Sequence, residues 1–329
     1  MKVYIDPSCD MLYSSYYIKG LEENFGRKNI KFDNRYFRKF NHNNDFFALV
    51  LAKNNELRRI VIDFSDSENT QDDALIWCDT YAKINISNKE YSYPEKIIPI
   101  GPAFGIKLYS PLKTKVMAFL NYWKAKDRIP DKRRFFDDYK AQVNRMNIDE
   151  YYPNENLDNY VFFTSTIWKD EKNTNDFRAN FIKACKENQE ILFDGGFAPR
   201  PDNDVPGYED ITVNKRYSIE EYIANMKKSS ITFNTPAVLD CHGWKLGEFL
   251  CFGKAIISTP LSRKLPADLL DGKHLLITDG TQEDMKHKIQ QLIANPDLIT
   301  ELKANSRRYY ESELSPKKVI ERITKAAFS

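Results

Sequence analysis

The feature that most restricts this chain is a repeat of short apolar runs and helix-period segments along its second half. "YVFFTST" (160–166) reads as a strand, and Thr174 or Asn175 can cap a helix with Phe177, Phe181 and Cys185 on one face. "EILFDGG" is the next strand, with glycines where the chain must turn tightly. "SIEEYIANM" opens with a capping box, Ser218 with Glu221, and "SSITFN" follows as a strand. "KAIIST", "HLLIT" and a helix from Thr281 bearing Met285, Ile289, Leu292 and Ile293 complete the series. Such βαβ repetition implies an open, doubly wound parallel sheet.

A second sheet is expected ahead of it, because 329 residues exceed what one core usually holds. "KVYID" is strand-like, and Ser14 can cap a helix carrying Ile18, Leu21 and Phe25. "DFFALVLA", "RRIVIDF", "AKINI" and "KIIPIG" are continuous apolar runs that suit a parallel sheet covered on both faces. The charged stretch 127–159 contains two prolines and no strand, and reads as a helical connector. The expected division is an N-terminal domain, 1–152, and a C-terminal domain, 153–329. The last helix, opening at Ser315 and Pro316, is a candidate to pack back on the first domain.

Composition excludes several classes. Lys and Arg total 49 against 47 Asp and Glu, so no basic excess points to nucleic acid. Five scattered cysteines without a CxxC pair suit a reducing compartment and no zinc knuckle. The N-terminus lacks a signal-peptide core, and no apolar run approaches bilayer length. The expectation is a cytoplasmic protein with at most peripheral membrane association, at the inner face.

The most informative stretch is "DCHGWKLGEFLCFGKAII" (240–257), polar in front and apolar behind. It follows the strand "SSITFN", so Asn234 to Gly243 should lie at the carboxyl rim of the sheet, where doubly wound folds bind ligands. Helical spacing starts near Trp244, with Leu246, Phe249 and Leu250 inward. Unpaired N–H groups there attract anions, and Gly243 lets a phosphate approach the backbone. Glu248, about a turn further on, can accept hydrogen bonds from ribose hydroxyls.

This stretch resembles the donor-binding segment of GT-B glycosyltransferases, especially the retaining family 4. In that family two glutamates separated by seven residues precede a small-residue helix and Gly-x-Pro-Val-Ile; Asp240 and Glu248 have this spacing, and "FLCFGKAIIS" continues the pattern. The downstream "DGKHLLITDG" strand and paired helices are also similar. The chain departs from the family in carrying Asp at the first acidic position, Lys254 and Ala255 in place of small-Pro, and no glycine-rich first loop.

The resemblance implies an α/β, GT-B architecture: two Rossmann-like doubly wound domains facing a central cleft. It implies transfer of a sugar from a nucleotide-sugar to a glycan or lipid-linked glycan, in a context such as bacterial surface-polysaccharide assembly. Glu248 would bind ribose; Thr235, His242, Gly243 and Trp244 would face the diphosphate and sugar; Asp240 would lie near the transferred sugar; Lys169 and Arg178 would neutralise the leaving diphosphate. No cofactor or metal is expected, although Asp202 to Asp204 form a short acidic triplet, "DND". The loop "DPSCDMLYSS" offers Asp6 and Asp10 as a general base if configuration is inverted. Asp63 and Asp66 read as a strand end and a turn. Alternatives are a sugar-nucleotide epimerase of the same fold and a non-catalytic sugar-binding module.

Overall fold

A computed structural model describes every residue except 90–92, 154–156, 158 and 201–203. The chain divides into two compact units. The first comprises Met1–Ile148, Lys264–Pro266 and Ser312–Ser329, and the second Asp149–Arg263 and Ala267–Glu311. Each is α/β with a sheet of Rossmann type.

In chain order the first unit contains β1 (Lys2–Ile5), α1 (Met11–Phe25), β2 (Ile30–Phe32), β3 (Phe46–Lys53), β4 (Glu56–Asp63), α2 (Asp72–Trp77) and β5 (Thr80–Lys83). The two-residue β6 (Ile86–Ser87), β7 (Ile97–Pro99), α3 (Pro111–Ala125) and α4 (Lys132–Val143) follow. Six strands pair in the order β2-β1-β3-β4-β5-β7. All run parallel except β3, which is antiparallel to both β1 and β4. The expectation of a wholly parallel sheet is therefore corrected. Only Asn54 and Asn55 separate β3 from β4, both with positive φ (49° and 66°). Two such residues make a tight hairpin turn, whereas a parallel pair needs a crossover of a dozen residues or more.

Two other expectations change here. Asp10, not Ser14, caps α1, accepting from the backbone N–H groups of Leu12 and Tyr13 at 2.8 and 3.0 Å. The helix within 127–159 is no free connector: α4 buries Phe135 and Tyr139 in the first unit, and Asn121 of α3 donates to the Tyr139 hydroxyl at 2.9 Å. The C-terminal helix Pro316–Phe328 packs along α1 in the same unit, burying Val319, Ile320 and Ile323. Gly20 permits this approach, since a Cβ there would sit 2.1 Å from the Pro316 carbonyl oxygen.

The second unit contains β8 (Tyr160–Ser165), α5 (Lys172–Glu187), β9 (Leu192–Phe197), α6 (Ile219–Lys228), β10 (Ile231–Asn234), α7 (Trp244–Phe252) and β11 (Ala255–Ser258). A short β12 (Arg263–Lys264) precedes β13 (Leu276–Ile277), α8 (Gln282–Ile293) and α9 (Pro296–Tyr309). Its sheet runs β13-β11-β10-β8-β9, all parallel. Side chains alternate between faces. Val161, Phe163, Ile231, Phe233, Ala255 and Ile257 form one core with Phe181 of α5 and Met285 and Ile289 of α8. Phe162 points the other way, edge-on to Tyr217 and Tyr222.

Local signals placed most of these elements. The capping box at Ser218 and Glu221 makes both of its bonds, and Thr281 caps α8. The start of α5 differs, because it begins at Lys172 after Glu171. Asn175 instead bridges the backbone N–H and carbonyl of Trp168, and Thr174 donates to the Pro236 carbonyl. Lys254 has a structural use: it is buried and donates to the Lys227 and Ser229 carbonyls at the end of α6, where helix carbonyls lack partners.

Candidate functional site

The strand order creates one special place in the second unit. From β8 the chain crosses outward to β9, then returns past β8 to form β10. Connections leave the carboxyl ends of β8 and β10 in opposite directions, and doubly wound sheets hold ligands in that crevice. A cavity of about 170 Å³ lies there, lined by Ser165, Thr166, Trp168 and Arg178 from the β8 side and by Asn234, Thr235, Gly243, Trp244 and Lys245 from the β10 side.

Two cations meet in it. Arg178, on the second turn of α5, is 6% exposed and donates to the Thr166 carbonyl at 3.0 Å. Among the described residues no carboxylate stands within ion-pair distance of it. Burial lowers its guanidinium to about 10, so it stays charged at neutral pH. Lys245 is half-buried, with Nζ over the Tyr222 ring at 4.8 Å. Burial brings its ammonium down to about 8, Glu248 acting against the shift and Arg178 with it. Both cations stand at the start of α7, whose N-cap, Gly243, supplies no side chain to the first-turn N–H groups. Desolvated positive charge beside a helix N-terminus favours an anion.

Gly243 is not required by the fold. Its φ is −76°, which any residue adopts, and a Cβ there would meet only the Ala237 Cβ at 3.6 Å, an ordinary contact. What a side chain would obstruct is the cavity. At the strand ends, Asn234 donates to the Ser258 hydroxyl and Thr259 to the Thr235 hydroxyl, both at 2.9 Å, which fixes this polar rim. Trp168 and Trp244 add flat apolar walls on which a ring could stack.

Of the donor-side residues read from the sequence, Arg178, Thr235, Gly243 and Trp244 come together here, and four others do not. Lys169 lies exposed in the loop after β8. His242 is buried behind the site, where its Nε2 accepts from the Arg263 backbone N–H at 3.3 Å; burial, then Arg263, pulls it down to about 4, so it is neutral. Asp240 is exposed with positive φ (57°), and its carbonyl accepts from Ser262. Glu248 is buried under α7, accepting from the Tyr222 hydroxyl at 2.8 Å, and does not line the cavity. Lys245 was missed. The signal was present: a lysine in the first turn of a helix opposes the macrodipole, a local conflict that a bound anion would resolve.

In the first unit the candidate carboxylates separate. Asp6 is fully engaged, with Arg128 donating to both of its oxygens (2.6 and 3.2 Å) and Ser8 donating twice more to Oδ1. Asp10 uses Oδ1 as the helix cap, while its buried Oδ2 has no hydrogen-bond partner among the described residues, where the nearest cation, Arg134, is 4.0 Å away. Burial, then the neighbouring Asp138, raises the Asp10 carboxyl to about 6. His42 joins this cluster, its Nδ1 donating to the Ser8 carbonyl at 2.7 Å and its Nε2 lying 3.1 Å from Asp138. Burial pulls His42 down, but the bonds to Asp138 and Ser8 outweigh it and leave it raised. Asp63 ends β4 in a buried ion pair with Lys83 at 2.9 Å.

In the acidic triplet, Asp202 lies outside the described residues, and Asp204 forms a two-bond pair with Arg200. Among the described residues no group of three His, Cys, Asp or Glu side chains is placed to hold a metal ion, and no helix is long and apolar enough to cross a membrane.

No family model matches the chain, and no curated protein matches its sequence. Similar solved structures include glycosyltransferases and a putative UDP-N-acetylglucosamine 2-epimerase from Listeria monocytogenes, the latter at 9% identity over 75% of this chain and 67% of that one, TM-score 0.37. One of the glycosyltransferases is the C-terminal domain of a glycosyl transferase group 1 family protein from Francisella tularensis, at 14% identity over 50% of this chain and 96% of that one, TM-score 0.38. A glycosyltransferase from Rickettsia africae matches at 11% identity over 75% of this chain, which spans 63% of its length, TM-score 0.42. Anabaena HepE, solved with UDP, matches at 12% identity over 77% and 73%, TM-score 0.42. Similarity at this level carries no statement about the reaction. Glycosyltransferases, which the stretch 240–257 resembles, are among the solved structures that this chain is similar to.

Proposed function

We propose that this chain is a glycosyltransferase that takes a nucleotide-sugar as donor and holds its diphosphate in the cavity between the ends of β8 and β10. One observation carries the reading. Arg178 and Lys245, neither with a carboxylate in ion-pair reach among the described residues, converge on the uncapped start of α7 beside a glycine the fold does not need. A buried guanidinium without a counter-charge is costly, and an anionic ligand offsets that cost.

The chemistry follows from charge. The bond between the anomeric carbon and the diphosphate oxygen breaks with its electron pair going to oxygen, and the sugar passes through an oxocarbenium-like state. Arg178, Lys245 and the α7 N–H groups stabilise the negative charge that grows on the leaving diphosphate, the task a metal performs elsewhere. The acceptor hydroxyl oxygen then bonds to the anomeric carbon, and its proton must leave. For an inverting enzyme Asp10 is the better candidate base, since Asp6 is consumed by Arg128 and Ser8 while Asp10 keeps one oxygen without a hydrogen bond among the described residues. The acceptor in this reading is a glycan or lipid-linked glycan, no metal is needed, and Glu248 supports α7 from behind.

A thermal-shift screen with UDP, GDP, ADP and CMP and their sugar conjugates tests this reading. Binding of one nucleotide at about 100 Kd should stabilise the native state by about 2.7 kcal/mol through linkage. No shift with any of them, at concentrations up to several millimolar, would refute a donor site here.

A further inference from the structure

The helix α3 is amphipathic the wrong way round. Its inward face, Thr114, Ala118, Asn121 and Ala125, is small and partly polar. Its outward face carries Leu112, Val116, Phe119, Leu120 and Trp123, spaced as one helical stripe, with Leu112 75% and Trp123 67% exposed. Water is a poor environment for five large apolar side chains in a row, and contiguous patches of this kind mark interaction sites. Phe136 of α4 extends the stripe, its ring 5.4 Å from Phe119 and 5.5 Å from Tyr122.

Cations frame it. Lys115, Lys124, Lys126, Lys132 and Arg133 are all exposed on α3, the turn after it and the start of α4. Lys126 and Lys132 lean over Trp123 and Tyr122, with Nζ 5.5 and 5.3 Å from the ring centres. The exposed carboxylates nearby are Asp127, Asp131 and Asp137; Asp131 caps α4 and Asp137 faces Arg133. Apolar and aromatic residues along one line, bordered by lysines whose long stems reach past them, describe a helix lying in a bilayer interface.

We propose that α3 and the start of α4 dock this protein on an anionic lipid surface, with Leu112, Val116, Phe119, Leu120 and Trp123 entering the headgroup boundary and the lysines contacting lipid phosphates. A second copy of the chain is the weaker occupant. A two-fold interface would set each patch against itself, bringing the same cationic border face to face. The proposal is independent of the glycosyltransferase reading, because membrane binding is measured without turnover.

Flotation of the full chain tests it, with vesicles of phosphatidylcholine alone and of phosphatidylcholine with about one third phosphatidylglycerol. The protein should float with the anionic vesicles, and less so when salt rises from about 0.1 to 0.5 M. The double variant Phe119→Ser, Trp123→Ser should partition about tenfold or more weakly, and Lys115→Glu, Lys126→Glu should lose the preference for anionic lipid. Quenching of tryptophan fluorescence by brominated lipid, abolished in Trp123→Phe, reads the same contact without a disruptive change. Failure to float, equal binding to neutral vesicles, or a dimer that the double variant dissociates without any vesicle binding would each overturn the proposal.

Discussion

Near the carboxyl ends of β1 and β4, three buried carboxylates of the first unit stand next to opposite charges: Asp6 with Arg128, Asp63 with Lys83, Asp138 with His42 and Arg134. At the equivalent ends of β8 and β10 in the second unit, Arg178 and Lys245 have backbone or ring contacts and no carboxylate within ion-pair reach among the described residues. Both places are where α/β sheets carry function. The contrast separates charges that serve the fold from those that we propose serve a ligand. Removing half of a buried pair strands its partner, whereas removing a solitary buried cation strands no opposite charge.

The largest effect should therefore come from Arg128→Met, which leaves Asp6 buried with no cation. Urea denaturation should register a loss of about 3–5 kcal/mol. The matching change in the other unit, Arg178→Met, should leave the urea midpoint unchanged or higher, yet weaken nucleoside diphosphate binding about a hundredfold by calorimetry, since a desolvated charge-assisted contact is lost. Were Arg178→Met to destabilise as much as Arg128→Met, the distinction between the two sites would collapse.

Asp10 gives an intermediate case. Its carboxyl is raised in the folded state to about 6, so its contribution to stability is present below the unfolded value near 4 and lost as pH rises through about 6. Asn keeps the helix cap without the charge. Asp10→Asn should thus be more stable than the native chain by about 1–3 kcal/mol at pH 7.5, and equal to it at pH 4, in melts recorded across that range. If Asp10 is also the base, the same stabilised variant should lose about 10²–10⁴-fold in turnover while donor binding survives. A stabilised variant with full activity would confine Asp10 to the fold.

Smaller effects refine the second site. Lys245 is charged below about pH 8 and neutral above it, so diphosphate affinity should fall about tenfold between pH 7 and pH 9.5, and Lys245→Met should flatten that profile. Gly243→Ala should fold normally, because neither φ nor packing opposes a Cβ there, and weaken the same ligand by about fivefold through lost approach to the backbone. An unchanged affinity in this variant would place the phosphates elsewhere along the cavity.

What was legible beforehand follows from how far each signal reaches. The start of α7, the capping box at Ser218 and the cap at Thr281 depend on neighbours within one turn, so the sequence alone determined them. The same is true of the alternating core residues of β8, β10 and β11, and with them the doubly wound class of the second unit. The hairpin at Asn54 and Asn55 was equally local, and was misread because continuous apolar runs suit a buried antiparallel strand as well as a parallel one. The fate of the charged residues was not local at all. Asp6 meets Arg128 from 122 residues away, and Glu248 meets Tyr222 across two helices. A carboxylate looks the same in the sequence whether a cation neutralises it or not. Only the folded chain decides which charges cancel within the protein and which, like those of Arg178 and Lys245, stay without an opposite charge in ion-pair reach among the described residues.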